Sequence, residues 1–575
     1  MKKKIKPPKR RRPAGNHAAN ETGTPAANET GTPAEPKAGS LAQKVRVARQ
    51  LAKQHERNGQ TLDALRQLDR VIELGAADAA VWMDTGRLLD DHREPIQAIG
   101  AYQNAISMTP DDPQPHHEIA RCFFAVGNIQ QAAEHLERAI ALCGDDDPEQ
   151  AAAPWLALAT MAPSHPGFDH QRVLQIRQRF AETLTTASAA KTESSGETQS
   201  TTAPVAESSR TKKRIGFVSS WFDKDNYMRP VWALVNRMNR SKYEIHLFSD
   251  TAIDSSGSGY VSFPEDRIHD TRDQCNHDVR NRIRANQIDL LIDLNAFSTP
   301  ERLGLFSQAL SCPVAAWFNM FATSGLPGID FIVGDDAVVR KSEEPFYSEH
   351  VIRLPQSYLT FEVKHQAPPI VDPPCLERSF VTFGSLVSLY KIHAGLLDSW
   401  AKILSRCPGS QLVLGNADLD SPTTRQMIID HFVNHGIEAD RILLRGRAKH
   451  YDFLKYYDEI DIALDSFPYN GGTTTTEAIW QGVPVVTFDG DRWASRTSAS
   501  LLYQTHLKNW IADSLGNSIE HAVQMATRRD RNDYLREMRH TMRDRLLESP
   551  VCDALAFTRA MESAIDQMIK PMDEI

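Results

Sequence analysis

Leu464-Asp465-Ser466-Phe467-Pro468-Tyr469-Asn470-Gly471-Gly472-Thr473-Thr474-Thr475-Thr476-Glu477 runs without a break into Ala478-Ile479-Trp480-Gln481-Gly482-Val483-Pro484-Val485-Val486-Thr487-Phe488. The pattern is strand, tight turn, helix, strand. Ile460 to Leu464 closes an apolar run. Asn470-Gly471-Gly472 is suited to the positive φ values most residues avoid. Thr473 or Thr474 is placed to cap the helix that follows. Glu477 falls near its start, Gly482 just past its end, and Val483 to Phe488 reads as a short buried strand. A glycine turn at a helix start presents free N–H groups and the positive end of the helix dipole, which together suit a diphosphate. A carboxylate one turn on suits ribose hydroxyls. The same spacing also fits an ordinary strand–helix–strand connection, and spacing alone does not choose between them.

Upstream of this stretch, Phe380–Phe383, Gln411–Leu414, Ile442–Leu444 and Ile460–Leu464 read as strands alternating with helices such as Ala394–Leu404. A second region of the same kind starts at Arg214-Ile215-Gly216-Phe217-Val218-Ser219-Ser220 and continues through Tyr243–Phe248, Leu290–Leu294, Val314–Phe318 and Phe331–Val333. Such alternation predicts two doubly wound, mostly parallel sheets, with a ligand cleft where the two lobes face. The lobes are expected over 213–370 and 371–575, the latter ending in helices from about 515.

Before the lobes lies an internal repeat. Ala64, Ala98 and Ala132, then Leu68, Tyr102 and Leu136, then Ile72, Ile106 and Ile140, and on the preceding helix Ala52, Gly86 and Ala120, all recur at a step of 34 residues, the tetratricopeptide period. An all-α solenoid is therefore expected over 41–146, with a helical cap over 147–184 anchored by Trp155, Leu156 and Leu158. Its concave surface suits a peptide, and it serves equally well as a brace for the next domain. Residues 185–212, rich in Ser, Thr, Ala and Glu, read as a flexible linker. Residues 1–40 combine a basic cluster with the repeated Asn-Glu-Thr-Gly-Thr-Pro-Ala of 20–26 and 28–34, and are expected to be a disordered, solvated tail.

The 575-residue chain is 41% hydrophobic and 24% charged with a formal net charge of −9, which argues against a protein that binds nucleic acid throughout. Seven scattered cysteines without metal-ligand spacing point to a reducing compartment and no structural zinc. No apolar run approaches a membrane span and no secretory signal is evident, so a cytoplasmic protein is expected.

The chain resembles the O-linked N-acetylglucosamine transferases, including their bacterial relatives. The resemblance rests on Leu464–Leu502 with Asn470-Gly471-Gly472-Thr473-Thr474 and Ala494-Ser495-Arg496, on Leu389-Tyr390-Lys391-Ile392, on Thr323-Ser324-Gly325 and on Arg214–Ser220. It covers roughly 214–575, and a tetratricopeptide array is the family's usual companion. It implies a two-lobed GT-B fold and a metal-free, cofactor-free, inverting transfer from a UDP-sugar, most simply N-acetylglucosamine, to Ser or Thr hydroxyls of a protein presented by the solenoid. It further implies that Lys391 stabilises the leaving diphosphate, where charge builds as the glycosidic bond breaks. The family's donor-binding positions fall on Ser388, Ala448, Asn470, Gly471, Gly472, Thr473, Thr474 and Glu477, with His450 a helical turn from a position where Phe453 replaces the family's histidine.

The acceptor side departs from the family. The loop Ser219–Tyr227 has Asp225 in place of a histidine, and Asp225 is the candidate base. Phe297 replaces another histidine, and Asn319-Met320-Phe321-Ala322 replaces a Gly-Tyr-Pro-Gly loop. Two readings follow: an active UDP-sugar-dependent protein glycosyltransferase, or a tetratricopeptide scaffold that keeps a UDP-sugar or peptide site and has lost or altered its chemistry.

Overall fold

A computed structural model describes residues 40–144, 147–195, 210–253, 259–363 and 366–571; the basic tail expected over 1–40 lies almost wholly outside them. The 34-residue repeat becomes three antiparallel helix pairs: α1 (Leu41–Arg57) with α2 (Thr61–Glu73), α3 (Ala79–Asp91) with α4 (Pro95–Met108), and α5 (Pro113–Ala125) with α6 (Ile129–Cys143). Side-chain caps start several of them. Ser40 Oγ accepts the N–H of Gln43, and Asp78 Oδ1 that of Val81 at 3.0 Å, each satisfying a donor that the helix leaves free. The repeating small residues mark where paired helices touch. Ala52 and Ala120 are buried, and a Cβ on Gly86 would meet the Tyr102 ring at 2.6 Å. The second repeat carries a tyrosine where its neighbours carry leucine, and its partner helix gives up a methyl group to hold it.

The cap consists of α7 (Pro148–Met161) and α8 (His170–Ser195). Residues 185–195, expected as linker, are the last turns of α8, and 196–209 lie outside the described residues. The last repeat helix and the cap form one continuous core with the first lobe: Leu136 of α6 and Leu158, Ile176 and Phe180 of the cap pack in a single cluster with Leu291, Phe306 and Val314. The repeats are thus docked onto the first lobe through α6 and their cap.

The first lobe is a seven-stranded parallel sheet, β1 (Lys213–Ser219), β2 (Tyr243–Ser249), β3 (Arg267–Asp270), β4 (Leu290–Asp293), β5 (Val314–Trp317), β6 (Phe331–Asp335) and β7 (His350–Leu354), in the order β3-β2-β1-β4-β5-β6-β7. The second is a six-stranded parallel sheet, β8 (Thr382–Ser385), β9 (Gln411–Gly415), β10 (Ile442–Arg445), β11 (Ile462–Leu464), β12 (Val485–Phe488) and β13 (Ile511–Ala512), in the order β10-β9-β8-β11-β12-β13. In each sheet the order reverses beside the first strand, the switch point of the doubly wound fold. Three strands were not legible as strands. β3 is a polar edge strand, Arg-Ile-His-Asp, exposed along most of its length. β7 lies at the other edge, and β13 is only two residues long. β3 and β13 lack the apolar run by which buried strands are read, and in β7 Arg353 interrupts one.

The last helix leaves the second lobe. Ala554–Met568 packs Phe557, Met561, Ile565 and Met568 into the first-lobe core with Ile245, Trp317 and Val333, and Tyr243 donates from its hydroxyl to Asp566 at 2.8 Å. Grouped by sequence with 371–575, this helix belongs by packing to 213–370. All seven cysteines are free, and among the described residues no helix is long and apolar enough to cross a membrane.

Candidate active site

Between the lobes lies a cleft lined by residues of both, from Asn226, Phe318 and Asn319 on one side to Lys391, Asn470 and Thr473 on the other, a common place for a ligand. Its second-lobe wall is the stretch that decides the fold. After β11, Asp465 gathers the turn: it accepts the N–H of Ser466 at 2.9 Å, that of Gly471 at 3.0 Å and the hydroxyl of Thr487 at 2.7 Å. Burial pushes the Asp465 carboxyl upward against these hydrogen bonds.

The glycines do not serve as expected. Neither Gly471 nor Gly472 has positive φ, and neither Thr473 nor Thr474 caps the helix; the cap residue is Gly472, at φ −119°. Gly471 is required by contact instead, because a Cβ there would meet Thr474 Oγ1 at 2.4 Å and Thr475 Oγ1 at 2.7 Å. Ser498 then fastens the turn, donating to the Gly471 carbonyl at 2.9 Å. Gly482 does adopt φ +73°, and a Cβ there would meet the Arg539 carbonyl at 2.2 Å.

The helix Thr473–Trp480 therefore aims its N-terminus at the cleft, with Asn470, Gly472, Thr473 and Thr476 on the wall. Its first N–H groups have no intrahelical partner. Asn470 is held by its own N–H on the Ala494 carbonyl at 2.8 Å and by Nδ2 on the Ser466 carbonyl at 2.6 Å. Its buried Oδ1 has no partner among the described residues.

Lys391 ends a short turn after β8, with its N–H on the Ser388 carbonyl at 3.1 Å. Its ammonium donates to the Asn470 carbonyl at 2.8 Å and lies 4.0 Å from the centre of the Tyr469 ring. Burial pulls it down to about 7, opposed by Asp465. A diphosphate beside it would favour the charged form.

Glu477 is buried, and its Oε1 accepts from His450 Nε2 at 2.8 Å, with both Arg229 Nη atoms at 3.5 Å. Arg229 comes from the first lobe, so this cluster joins the lobes; of the three residues only Arg229 lines the cleft. Ser388 is exposed and Ala448 half-buried in the loop before the helix His450–Leu454. Asp225 opens the helix Asp225–Val235; its side chain lies outside the described residues. Its neighbours Asn226 and Tyr227 line the cleft.

The structure thus brings Lys391, Asn470, Gly472 and Thr473 to one cavity. Gly471 and Thr474 support the turn, and His450 and Glu477 form the adjoining ion cluster. Sequence reasoning missed Arg229, Tyr390, Tyr469, Thr476 and Thr497. Two of these carried a signal: Thr476 shares a helix face with Thr473, and Thr497 follows Arg496. Arg229 carried none, because its partner lies across the lobes. Phe297 is buried under the Arg177 guanidinium, 4.0 Å from the ring centre, and Asn319 and Phe321 form cleft wall. Phe321 meets Tyr469 with ring centres 5.0 Å apart.

The sequence model of Glycosyl transferase family 41 matches residues 165–370 and 375–561. A Solanum lycopersicum protein described as a probable UDP-N-acetylglucosamine–peptide N-acetylglucosaminyltransferase SPINDLY is 33% identical over 291 residues, 50% of this chain and 31% of its own. An Arabidopsis thaliana protein described as the probable transferase SEC is 25% identical over 366 residues, 62% of this chain and 37% of its own. The chain therefore spans about a third of the length of these relatives. A mutant form of the O-GlcNAc transferase of Thermobaculum terrenum shares the fold with a TM-score of 0.74 at 23% identity, over 92% of this chain and 98% of the other.

Proposed function

The chain belongs to glycosyl transferase family 41, and from that premise we propose that it is an inverting, UDP-sugar-dependent protein O-glycosyltransferase, with N-acetylglucosamine the first sugar to test. The carrying observation is Lys391, half-buried, with its ammonium on the Asn470 carbonyl beside a helix N-terminus that faces the cleft. A donor diphosphate placed there meets a cation and free N–H groups at once. An acceptor hydroxyl oxygen attacks the anomeric carbon as the bond to the β-phosphate oxygen breaks. The electron pair leaves with UDP, where Lys391 and the helix dipole stabilise it.

Thr473 and Thr474 are assigned to the diphosphate, Glu477 to the ribose, and Ser388, Ala448 and His450 to the uridine side. Asp225 is assigned as the base that takes the hydroxyl proton; the cleft position of Asn226 and Tyr227 supports it. The solenoid is assigned to the protein acceptor, no metal is required for the transfer, and the compartment is the cytoplasm.

The test incubates purified protein with UDP-N-acetylglucosamine, UDP-glucose or UDP-galactose, with and without host-cell lysate, following UDP release and the mass of modified peptides. Lys391→Ala is the control. UDP binding without transfer from any donor would establish the scaffold reading, and absence of UDP binding would remove both.

A further inference from the structure

Away from the cleft, two helices of the second lobe bring Asp398, His431 and His435 together. Asp398 lies on Ala394–Arg406; His431 lies in Pro422–Asn434 and His435 closes that helix one turn on. The Nε2 atoms of His431 and His435 lie 2.9 Å and 3.2 Å from the same oxygen, Asp398 Oδ1, and all three ligand atoms fall within 4.8 Å of one another. The two rings stack with centres 4.7 Å apart. None of the three residues lines the cleft.

One hydrogen bond makes this more than a polar contact. His435 Nδ1 lies 2.8 Å from the His431 carbonyl oxygen. A carbonyl only accepts, so Nδ1 carries the proton, and in the neutral ring Nε2 then presents its lone pair. That lone pair faces a carboxylate oxygen. Nε2 of each ring is thus the nitrogen set beside the carboxylate oxygen, the pair of atoms an ion would share. Two imidazole nitrogens and one carboxylate oxygen select a borderline transition-metal ion over the all-oxygen ligation of magnesium or calcium. Bonds of about 2.0–2.2 Å to such an ion place neighbouring ligand atoms roughly 3–3.5 Å apart, near the 2.9 and 3.2 Å that separate the two Nε2 atoms from Asp398 Oδ1. With side-chain exposures of 41%, 21% and 42% for Asp398, His431 and His435, water has access to complete the coordination.

We propose that Asp398, His431 and His435 bind one divalent transition-metal ion, with Zn²⁺ the natural occupant, and so clamp the end of Pro422–Asn434 to Ala394–Arg406. The site is independent of the transfer reaction, and its failure leaves the cleft reading untouched. Cysteine spacing gave no metal signal. The histidine pair at i, i+4 gives half of one, and the carboxylate that completes it comes from a separate helix.

The test titrates the chelator-stripped full chain with ZnCl₂ by calorimetry and with Co²⁺ by visible absorption. The comparison is with the His431→Gln/His435→Gln double variant and with Asp398→Asn, which keeps the carboxylate's shape. The expected result is one Zn²⁺ per chain in the natural sequence, absent in the double variant and at least tenfold weaker in Asp398→Asn. UDP binding should be equal in all three. Zn²⁺ should also raise the melting temperature of the natural chain alone. Absence of stoichiometric Zn²⁺ binding, or equal stoichiometry and affinity in the variants, would overturn the proposal and leave a hydrogen-bonded staple only.

Discussion

Lys391 sits where burial works against its charge. Burial pulls it down to about 7, so near neutral pH the free cleft holds it partly deprotonated, and a bound diphosphate draws the proton back. Because binding raises the lysine's pKa, proton uptake on UDP binding should be near zero at pH 5.5 and approach about one at pH 8.5. UDP affinity should fall as pH rises above about 7. Calorimetry in buffers of different ionisation enthalpy measures the uptake, and Lys391→Ala should abolish it. In transfer assays the same variant should lose roughly 10²–10³ in kcat, the scale on which one preorganised stabiliser of a leaving charge acts. A kcat within a few-fold of the natural chain would remove Lys391 from the mechanism.

At the scale of elements, the turn that carries Lys391 is braced by the solenoid. A Cβ on Gly127, in the turn between α5 and α6, would meet the Ile392 carbonyl at 2.0 Å, and Phe124 stacks on Tyr390 with ring centres 5.2 Å apart. The α4 end is fixed nearby, where Glu94 accepts the hydroxyls of Ser421 at 2.8 Å and Thr423 at 2.7 Å. An aromatic pair contributes about 0.5–1.5 kcal/mol beyond its buried area. Phe124→Ala should therefore lower kcat by up to about tenfold, because the lost ring packs on Tyr390, the cleft-lining neighbour of Lys391; an unchanged kcat would remove the brace. The helix that ends at Gly482 makes a second case. Gly482→Ala forces a side chain into positive φ against the Arg539 carbonyl, and should cost more than about 1 kcal/mol in urea denaturation.

At the scale of the molecule, the lobes are joined by buried charge as well as by shape. Arg496, which the sequence offered as part of a family motif, reaches across to the first lobe, with Nη1 and Nη2 on the two Glu343 oxygens at 2.8 and 2.5 Å. Removing one partner leaves the other charge buried alone. Arg496→Ala should thus cost about 3–5 kcal/mol, read as a lowered urea midpoint, and Arg496→Met with Glu343→Leu should recover much of it. The returning C-terminal helix is the other tie. Met561 is wholly buried in the first-lobe core, so Met561→Asp should unfold that lobe, seen as early loss of tryptophan fluorescence from Trp317 and Trp232.

The repeat, both parallel sheets and the polarity of residues 464–488 are legible in the chain alone, because each is written in local periodicity: a 34-residue step, strand–helix alternation, and a glycine turn before a helix. The sequence also placed Lys391 and Asn470–Thr473 together, since a family motif preserves their order. What it could not supply were features created by distant segments meeting. The polar edge strand β3 is a strand only because β2 lies beside it. Gly471 is needed for the threonine hydroxyls that pack against it, and Glu477 is held by an arginine 248 residues away. The terminal helix joins the lobe that precedes it in the chain. Local sequence sets backbone preference and apolar pattern, whereas partner choice for buried charge, close contacts and lobe docking is decided by which surfaces the fold brings within a few ångströms.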